Sequence, residues 1–234
     1  MADILRDVPA IALAVYAHPD DPDVACGGTL ARWSAAGADV HLCICALGDK
    51  GSADPACDTA KLAWRRRQEA TAAADILGVA TCHWLEYPDG ELDDLGLRSR
   101  LVALVRDVRP ATVVAPDPTA VFFGQHYVNH RDHRAAGWAT LDAVAPAAGS
   151  PHYFPGAGRA HQVSTLLLSG TLEPDCWVDI DTTLARKAAA VACHRSQVGE
   201  SKEWIDEVVR QRAADAGAPA GLRHAEGFRR LNLR

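Results

Sequence analysis

The chain has 234 residues, 48% of them hydrophobic and 23% charged, with a formal net charge of -6. That balance fits one globular domain with a substantial core and excludes a disordered or fibrous chain. The acidic charge argues against nucleic acid or an anionic membrane as principal partner, and no apolar run reaches the roughly 18–20 residues of a membrane span. Met1 to Pro9 carries Asp3, Arg6 and Asp7 and lacks an apolar leader block, so the expected address is the cytoplasm. The seven cysteines make an odd count with no Cys-x-x-Cys pair. Cys43 and Cys45 lie within an apolar run and read as small buried hydrophobes, not as disulfide partners or a thiolate zinc site.

Ile11–Ala17 is short and apolar and predicts a buried parallel strand, which runs into His18-Pro19-Asp20-Asp21. Cys26-Gly27-Gly28-Thr29 opens a helix through Leu30, Ala31, Trp33 and Ala36, stopped by Gly37. The glycine pair lacks the spacing of a dinucleotide fingerprint and reads as close packing of helix on strand. Val40–Leu47 is the second strand. The small residues of Gly48-Asp49-Lys50-Gly51-Ser52 behind it would let a ligand approach the backbone. Thr59–Leu77 is a long helix stopped at Gly78. Its Arg65-Arg66-Arg67 run forms a solvated face from which one arginine can turn to a substrate. Cys82–Tyr87 is a third strand, ending in the turn Pro88-Asp89-Gly90. A helix over Leu95–Val108 and a strand over Thr112–Ala115 complete a βαβαβαβ order, the pattern of a mostly parallel sheet with helices on both faces.

Downstream, Phe122 to His133 leads into a helix through Ala135, Ala136, Trp138, Leu141 and Val144, with His130 and His133 spaced to share one face at its start. His41, His83, His126, His152, His161 and His224 receive no role. Gly149–Gly158 reads as a Pro/Gly loop able to wall a pocket. Val163–Ser169 and Cys176–Ile180 are short strands, and Asp181-Thr182-Thr183 caps a helix through Leu184, Ala188, Val191 and Ala192. A helix from Trp204 to Ala214 and a flexible Gly217–Gly221 segment follow.

His18, Asp20 and Asp21 fall at the carboxyl end of a core strand, where open α/β sheets place their ligands. Clustered carboxylates repel one another and resist desolvation. A divalent cation held by His18 and one aspartate, with the other free to handle a proton, is the simplest remedy. A solvated turn, bent at Pro19 and capping the next helix, accounts for the same four residues. The second cluster, Asn129-His130-Arg131-Asp132-His133, shifts the balance towards a shared site.

On Ala17-His18-Pro19-Asp20-Asp21, Gly27-Gly28-Thr29-Leu30 and His130-Arg131-Asp132-His133, the chain resembles the PIG-L (LmbE-like) zinc-dependent N-deacetylases. Tyr87-Pro88-Asp89-Gly90, Lys187 with His194-Arg195-Ser196-Gln197, and Ala225-Glu226-Gly227-Phe228 support the likeness in the family's order. The resemblance implies a Rossmann-like α/β fold without a dinucleotide, one LmbE-like domain over residues 1–234 with residues 150–234 completing the pocket. It implies His18, Asp21 and His133 as zinc ligands, Asp20 as general base, His130 as the group that polarises or protonates the amide, and Tyr127 as an oxyanion contact. By position Arg66 and Asp89 are candidate contacts to substrate hydroxyls, His194 either closes the pocket or ends a helix, and Asp132 supports a histidine from behind. Pro22 stands where many members have Glu, which bears on the wall Pro22–Ala25 and not on the metal site.

The implied cofactor is Zn²⁺, with Fe²⁺ or another divalent ion as alternatives, and the implied partner is a small N-acetylated molecule, with self-association left open. Two imidazoles and a carboxylate leave zinc room for a water whose pKa falls from 15.7 towards about 7. The expected reaction removes an N-acetyl group from an amino sugar or a related natural-product intermediate. A zinc amidase for a bulkier amide would use the same ligands, and a Rossmann-like nucleotide-binding module would use none of them.

Overall fold

The computed structural model describes residues 2–199 and 201–233. In chain order its strands are β1 (Asp3–Ile4), β2 (Ile11–Tyr16), β3 (Asp39–Ala46), β4 (Thr81–Tyr87), β5 (Thr112–Pro116), β6 (Phe122–Phe123), β7 (Tyr127–Val128), β8 (Thr165–Ser169), β9 (Cys176–Asp179) and β10 (Ala225–Asn232). Its α-helices are α1 (Asp21–Ala35), α2 (Thr59–Leu77), α3 (Asp94–Val108), α4 (Arg131–Asp142), α5 (Leu184–Val191), α6 (Arg195–Val198) and α7 (Lys202–Gly217). Eight strands form one sheet in the order β1-β9-β10-β8-β5-β2-β3-β4, and β6 and β7 make a separate hairpin. Every neighbouring pair in the large sheet is parallel except the two that involve β10. The mostly parallel sheet read from the sequence is therefore present, with one antiparallel strand added.

Alternation along β2 builds two cores. Ala12, Ala14 and Tyr16 face one way, with Leu30, Leu77, Leu184 and Val209 of α1, α2, α5 and α7. Leu13 and Val15 face the other, with Leu101, Val105, Ala136 and Ala139 of α3 and α4. No helix among the described residues is long and apolar enough to cross a membrane.

The chain passes from β2 outward to β3 and β4, then returns to lay β5 on the other side of β2. The connections leaving β2 and β5 thus diverge, and the crevice between their carboxyl ends is the switch point at which such sheets take ligands. Both His/Asp clusters begin there.

Four sequence expectations change. The first helix starts at Asp21, not at Cys26, and is broken at Cys26 (φ -144°, ψ 17°), so that a second helical stretch begins at the glycine pair. A Cβ on Gly28 would lie 2.7 Å from Ile180, the close packing anticipated for that glycine. The 149–158 loop walls no part of the site. It belongs to the opposite edge of the sheet, where the buried Arg106 donates to the carbonyls of Ala147, Ala148, Ser150, Tyr153 and Phe154. Within the capping stretch Asp181–Thr183 the N-cap of α5 is Thr183, as that stretch implies, but its hydroxyl donates to the Gly28 carbonyl and not to the helix, and Asp181 instead accepts from His224 Nδ1 at 2.5 Å. Gly217 is a buried helix end followed by a 3₁₀ turn, Ala218–Ala220, and not a loose segment.

Candidate metal centre

His18 follows β2 directly, and its backbone N–H donates to Asp21 Oδ2 at 2.8 Å, which folds the start of α1 back over the strand end. His130 is the N-cap of α4, and its Nδ1 accepts from the Asp132 N–H at 3.2 Å. Helix geometry then places Asp132 and His133 in the first turn, facing the end of β2.

Donor atoms of three side chains converge. His18 Nδ1 lies 3.2 Å from His133 Nε2, His133 Nε2 lies 3.1 Å from Asp21 Oδ1, and His18 Nδ1 lies 3.4 Å from Asp21 Oδ2. The separations bring a nitrogen of each imidazole and the Asp21 carboxylate close enough together for one metal ion to be held among them.

The outer nitrogens fix the tautomers. His18 Nε2 faces Asp89 Oδ1 at 3.1 Å and Asp132 Oδ2 at 3.6 Å, and carboxylates only accept, so Nε2 carries the hydrogen and Nδ1 turns its lone pair inward. Asn129 donates its amide to the Ala120 carbonyl at 2.8 Å, which leaves Oδ1 to accept from His133 Nδ1 at 2.9 Å; His133 Nε2 is then the free lone pair. Both imidazoles are presented as ligands, each oriented by an acceptor behind it. The carboxylate, two neutral ring nitrogens and this spacing fit a divalent cation.

The field agrees. Burial opposes an imidazolium at His18, yet the Asp21 charge and the hydrogen bonds to Asp132, Asp21 and Asp89 push its pKa up to about 12. Burial also opposes charge on Asp21, but His133 and His18 hold its carboxyl well below the usual carboxylate range. At His130, burial followed by the charge of His18 lowers the pKa. The pocket selects positive charge at its centre, and a metal ion must displace a proton to bind.

Asp20 stands beside the donor triangle, its Oδ1 accepting from Arg66 at 2.7 Å. Arg66 turns in from its run of three to a position only 3% exposed and also donates to the Gly48 carbonyl at 2.9 Å. The small residues of that loop accommodate Arg66 itself: a Cβ on Gly48 or Gly51 would fall 2.5 Å from its guanidinium. Tyr127 sits on the β6–β7 hairpin at the rim of the cavity, 52% exposed, with its ring 5.9 Å from Phe123. His194 is fully buried, its Nε2 donating to Asp23 Oδ2 at 2.7 Å, so it touches that carboxylate and not the cavity. The Pro22–Ala25 wall is the first turn of α1, with Asp23 turned inward to meet His194. His18, Asp21, His133, His130, Asp89, Asp132 and Asp20 are all brought together.

Asn129 and Asp23 were not assigned roles by the sequence. Asn129 precedes His133 by four residues, a spacing that carried the signal; nothing local marks Asp23 as the partner of a histidine 171 positions away.

Asp89→Asn is expected to weaken metal binding by about 10- to 100-fold while the fold stays intact, because it removes the nearer charge orienting His18. Competition with a chromogenic chelator measures this; unchanged affinity would leave the orientation to Asp132 alone.

An α/β protein with a His–Asp–His cluster able to hold a metal ion at its switch point is the class that fold and site define. The PIG-L family model, described as GlcNAc-PI de-N-acetylase, matches residues 13–144, and the chain belongs to that family. It is 34% identical to a diacetylchitobiose deacetylase of Thermococcus kodakarensis, over 93% of this chain and 81% of the relative. It is 30% identical to a 1D-myo-inositol 2-acetamido-2-deoxy-alpha-D-glucopyranoside deacetylase of Rhodococcus jostii, over 80% and 81%. The structure resembles N,N'-diacetylchitobiose deacetylase from Pyrococcus horikoshii with a TM-score of 0.85 at 30% identity, covering 96% and 84% of the two chains. It also resembles a 4-carboxy-2-hydroxymuconate hydratase from Pseudomonas putida, with a TM-score of 0.79 at 25% identity and coverage of 96% and 97%.

Proposed function

We propose that this chain is a zinc-dependent N-deacetylase that hydrolyses the acetamide of an amino sugar or of a related natural-product intermediate. The observation that supports it most is the donor triangle of His18, Asp21 and His133, with its tautomers set from behind and Asp20 free of it alongside. Nitrogen and oxygen donors of this kind suit zinc and also ferrous iron. When bound, the ion supplies Lewis-acid activation of water and of the amide carbonyl.

The chain's own groups do the rest. Asp20, held by Arg66 at one oxygen, accepts the proton of the attacking water and carries it to the leaving nitrogen. His130 accepts from the Asp132 N–H at Nδ1, so the neutral ring bears its hydrogen on Nε2. Burial first, then the positive charge beside it, lowers its pKa, which favours a neutral ring that donates to the carbonyl oxygen as that oxygen takes on charge. Losing one such donor typically costs on the order of 100- to 1000-fold in rate. Tyr127, at the rim, is the candidate second donor to the same oxygen.

Purified protein loaded with Zn²⁺ is expected to release acetate from N-acetylglucosaminides. A chelator abolishes the release, and stoichiometric Zn²⁺ or Fe²⁺ restores it. Metal-loaded protein that releases no acetate from a panel of N-acetylated glycosides, but hydrates an unsaturated acid, would overturn the assignment.

A further inference from the structure

A cavity of about 840 Å³ opens beside the donor triangle, with Asp20, Asp21 and His133 at one end. It continues away from them between α1, α5 and α7, where Val24, Val191, Trp204, Val208, Val209 and Ala213 line it. The four α7 residues among these fall on one stripe of that helix. Volumes in this range enclose drug-sized ligands, so one sugar ring and its acetamide leave much of the space to something else.

Apart from the guanidinium of Arg212 on α7, that space offers few hydrogen bonds. Its buried ion pair is already engaged: Lys187 donates to the Val24 carbonyl and to Glu226, and Glu226 also accepts from the Gly28 and Thr29 N–H groups. A polyhydroxylated group placed there would leave water without replacement partners. An alkyl or aryl group would meet valine, alanine and an exposed tryptophan.

Chemistry decides which end of the substrate enters. The family's acyl group is acetyl, which needs room only for a methyl. In a 2-acetamido sugar the carbon bearing nitrogen is bonded to the anomeric carbon. With the acetamide carbonyl at the donor triangle, the anomeric substituent therefore starts one carbon away and follows the cavity outward.

We propose that the preferred substrate carries an apolar aglycone, lodged between α1, α5 and α7, in preference to the free sugar or to a glycoside of a polyol or a second sugar. This rests on the deacetylase reading and sets the chain apart from relatives named for diacetylchitobiose and for an inositol glycoside.

The test compares acetate release by the metal-loaded full chain from the methyl and n-octyl glycosides of N-acetylglucosamine and from diacetylchitobiose, with N-octanoylglucosamine followed by amine release. Each buried methylene strengthens binding roughly fourfold, so the octyl glycoside should exceed the methyl glycoside in kcat/KM by at least about 10-fold, through KM, with diacetylchitobiose no better than the methyl glycoside. Val208→Asp, at a half-buried position, should bring the octyl-to-methyl ratio close to one. Trp204→Ala, at a position 56% exposed, should lower it without risk to folding. An octyl-to-methyl ratio near one in the parent protein, a ratio unmoved by both substitutions, or a gain confined to the N-octanoyl compound would overturn the proposal while leaving deacetylation standing. Absence of acetate from every glycoside would instead overturn the reading beneath it.

Discussion

Asp20→Asn is expected to reduce turnover by about 1000-fold while one divalent ion per chain remains bound, whereas Asp21→Ala loses both the ion and the activity. The two neighbours differ in what their oxygens touch. Asp20 meets Arg66 and contributes nothing to the donor triangle. Asparagine preserves its size and cannot take a proton, and a positioned general base contributes typically 10²–10⁴-fold. Asp21 places one oxygen 3.1 Å from His133 Nε2 and the other 3.4 Å from His18 Nδ1, and it also accepts the His18 N–H that folds the loop. Removing it deletes a member of the donor group proposed to hold the ion and the tie that brings His18 to the centre. Elemental analysis after dialysis, paired with kcat for acetate release, separates the two. Full turnover in Asp20→Asn would move the base elsewhere. Stoichiometric metal in Asp21→Ala would shift the ion to the other group of converging donors, His18, Asp89, His130 and Asp132.

The parts of this site legible in the sequence are those defined by residue type at a fixed offset from an apolar run. His18, Asp20 and Asp21 follow β2, and His130, Asp132 and His133 open α4, so their convergence required only that β2 and β5 be neighbours. The parts that stayed hidden depend on packing between distant segments. Arg66 is marked by position as a candidate substrate contact, but its hold on Asp20 and on the Gly48 carbonyl shows only once α2 is laid beside the loop after β3. Glu226 reaches Gly28 across 198 positions, and only the broken α1 shows why a carboxylate is needed there. Strand β10 carries Arg229, Arg230 and Asn232 and shows no continuous apolar run, yet it is held by ladders on both sides. The 149–158 loop has a composition equally suited to either sheet edge. Its place follows from the direction of α4, which carries the chain away from the site.

The fold alone does not choose the reaction. A hydratase shares it at 25% identity, and a metal-activated water serves addition to a double bond as well as attack on an amide. What favours hydrolysis here is the combination of family membership, a carboxylate at Asp20 outside the donor set, and His130 with its Nδ1 occupied by the Asp132 N–H. Of these the last two are properties of this chain's geometry, and each can be altered without touching a ligand of the ion.

The strongest expected effect on stability lies behind that geometry. Lys187 and Glu226 are buried, with side chains 8% and 3% exposed and 2.5 Å between their charged atoms. The Glu226 carboxylate also accepts from Gly28 N at 2.9 Å and Thr29 N at 2.7 Å, so it neutralises the start of the helical stretch that follows the break at Cys26. Lys187→Met leaves that carboxylate without its cation, and Glu226→Gln leaves the buried ammonium with neutral acceptors only, among them the Val24 carbonyl. Each is expected to destabilise by about 3–5 kcal/mol, the usual consequence of leaving one member of a buried pair unpaired. The double variant should cost less than the sum, because neither charge is then left alone. Urea unfolding of chelator-treated protein measures this without stabilisation from bound metal. Since Asp20 and Asp21 open the first turn of the same broken helix, metal affinity should fall in the single variants and recover in part in the double one. Single variants within about 1 kcal/mol of the parent would show that packing of Gly28 on Ile180, and not the ion pair, holds α1 against the sheet.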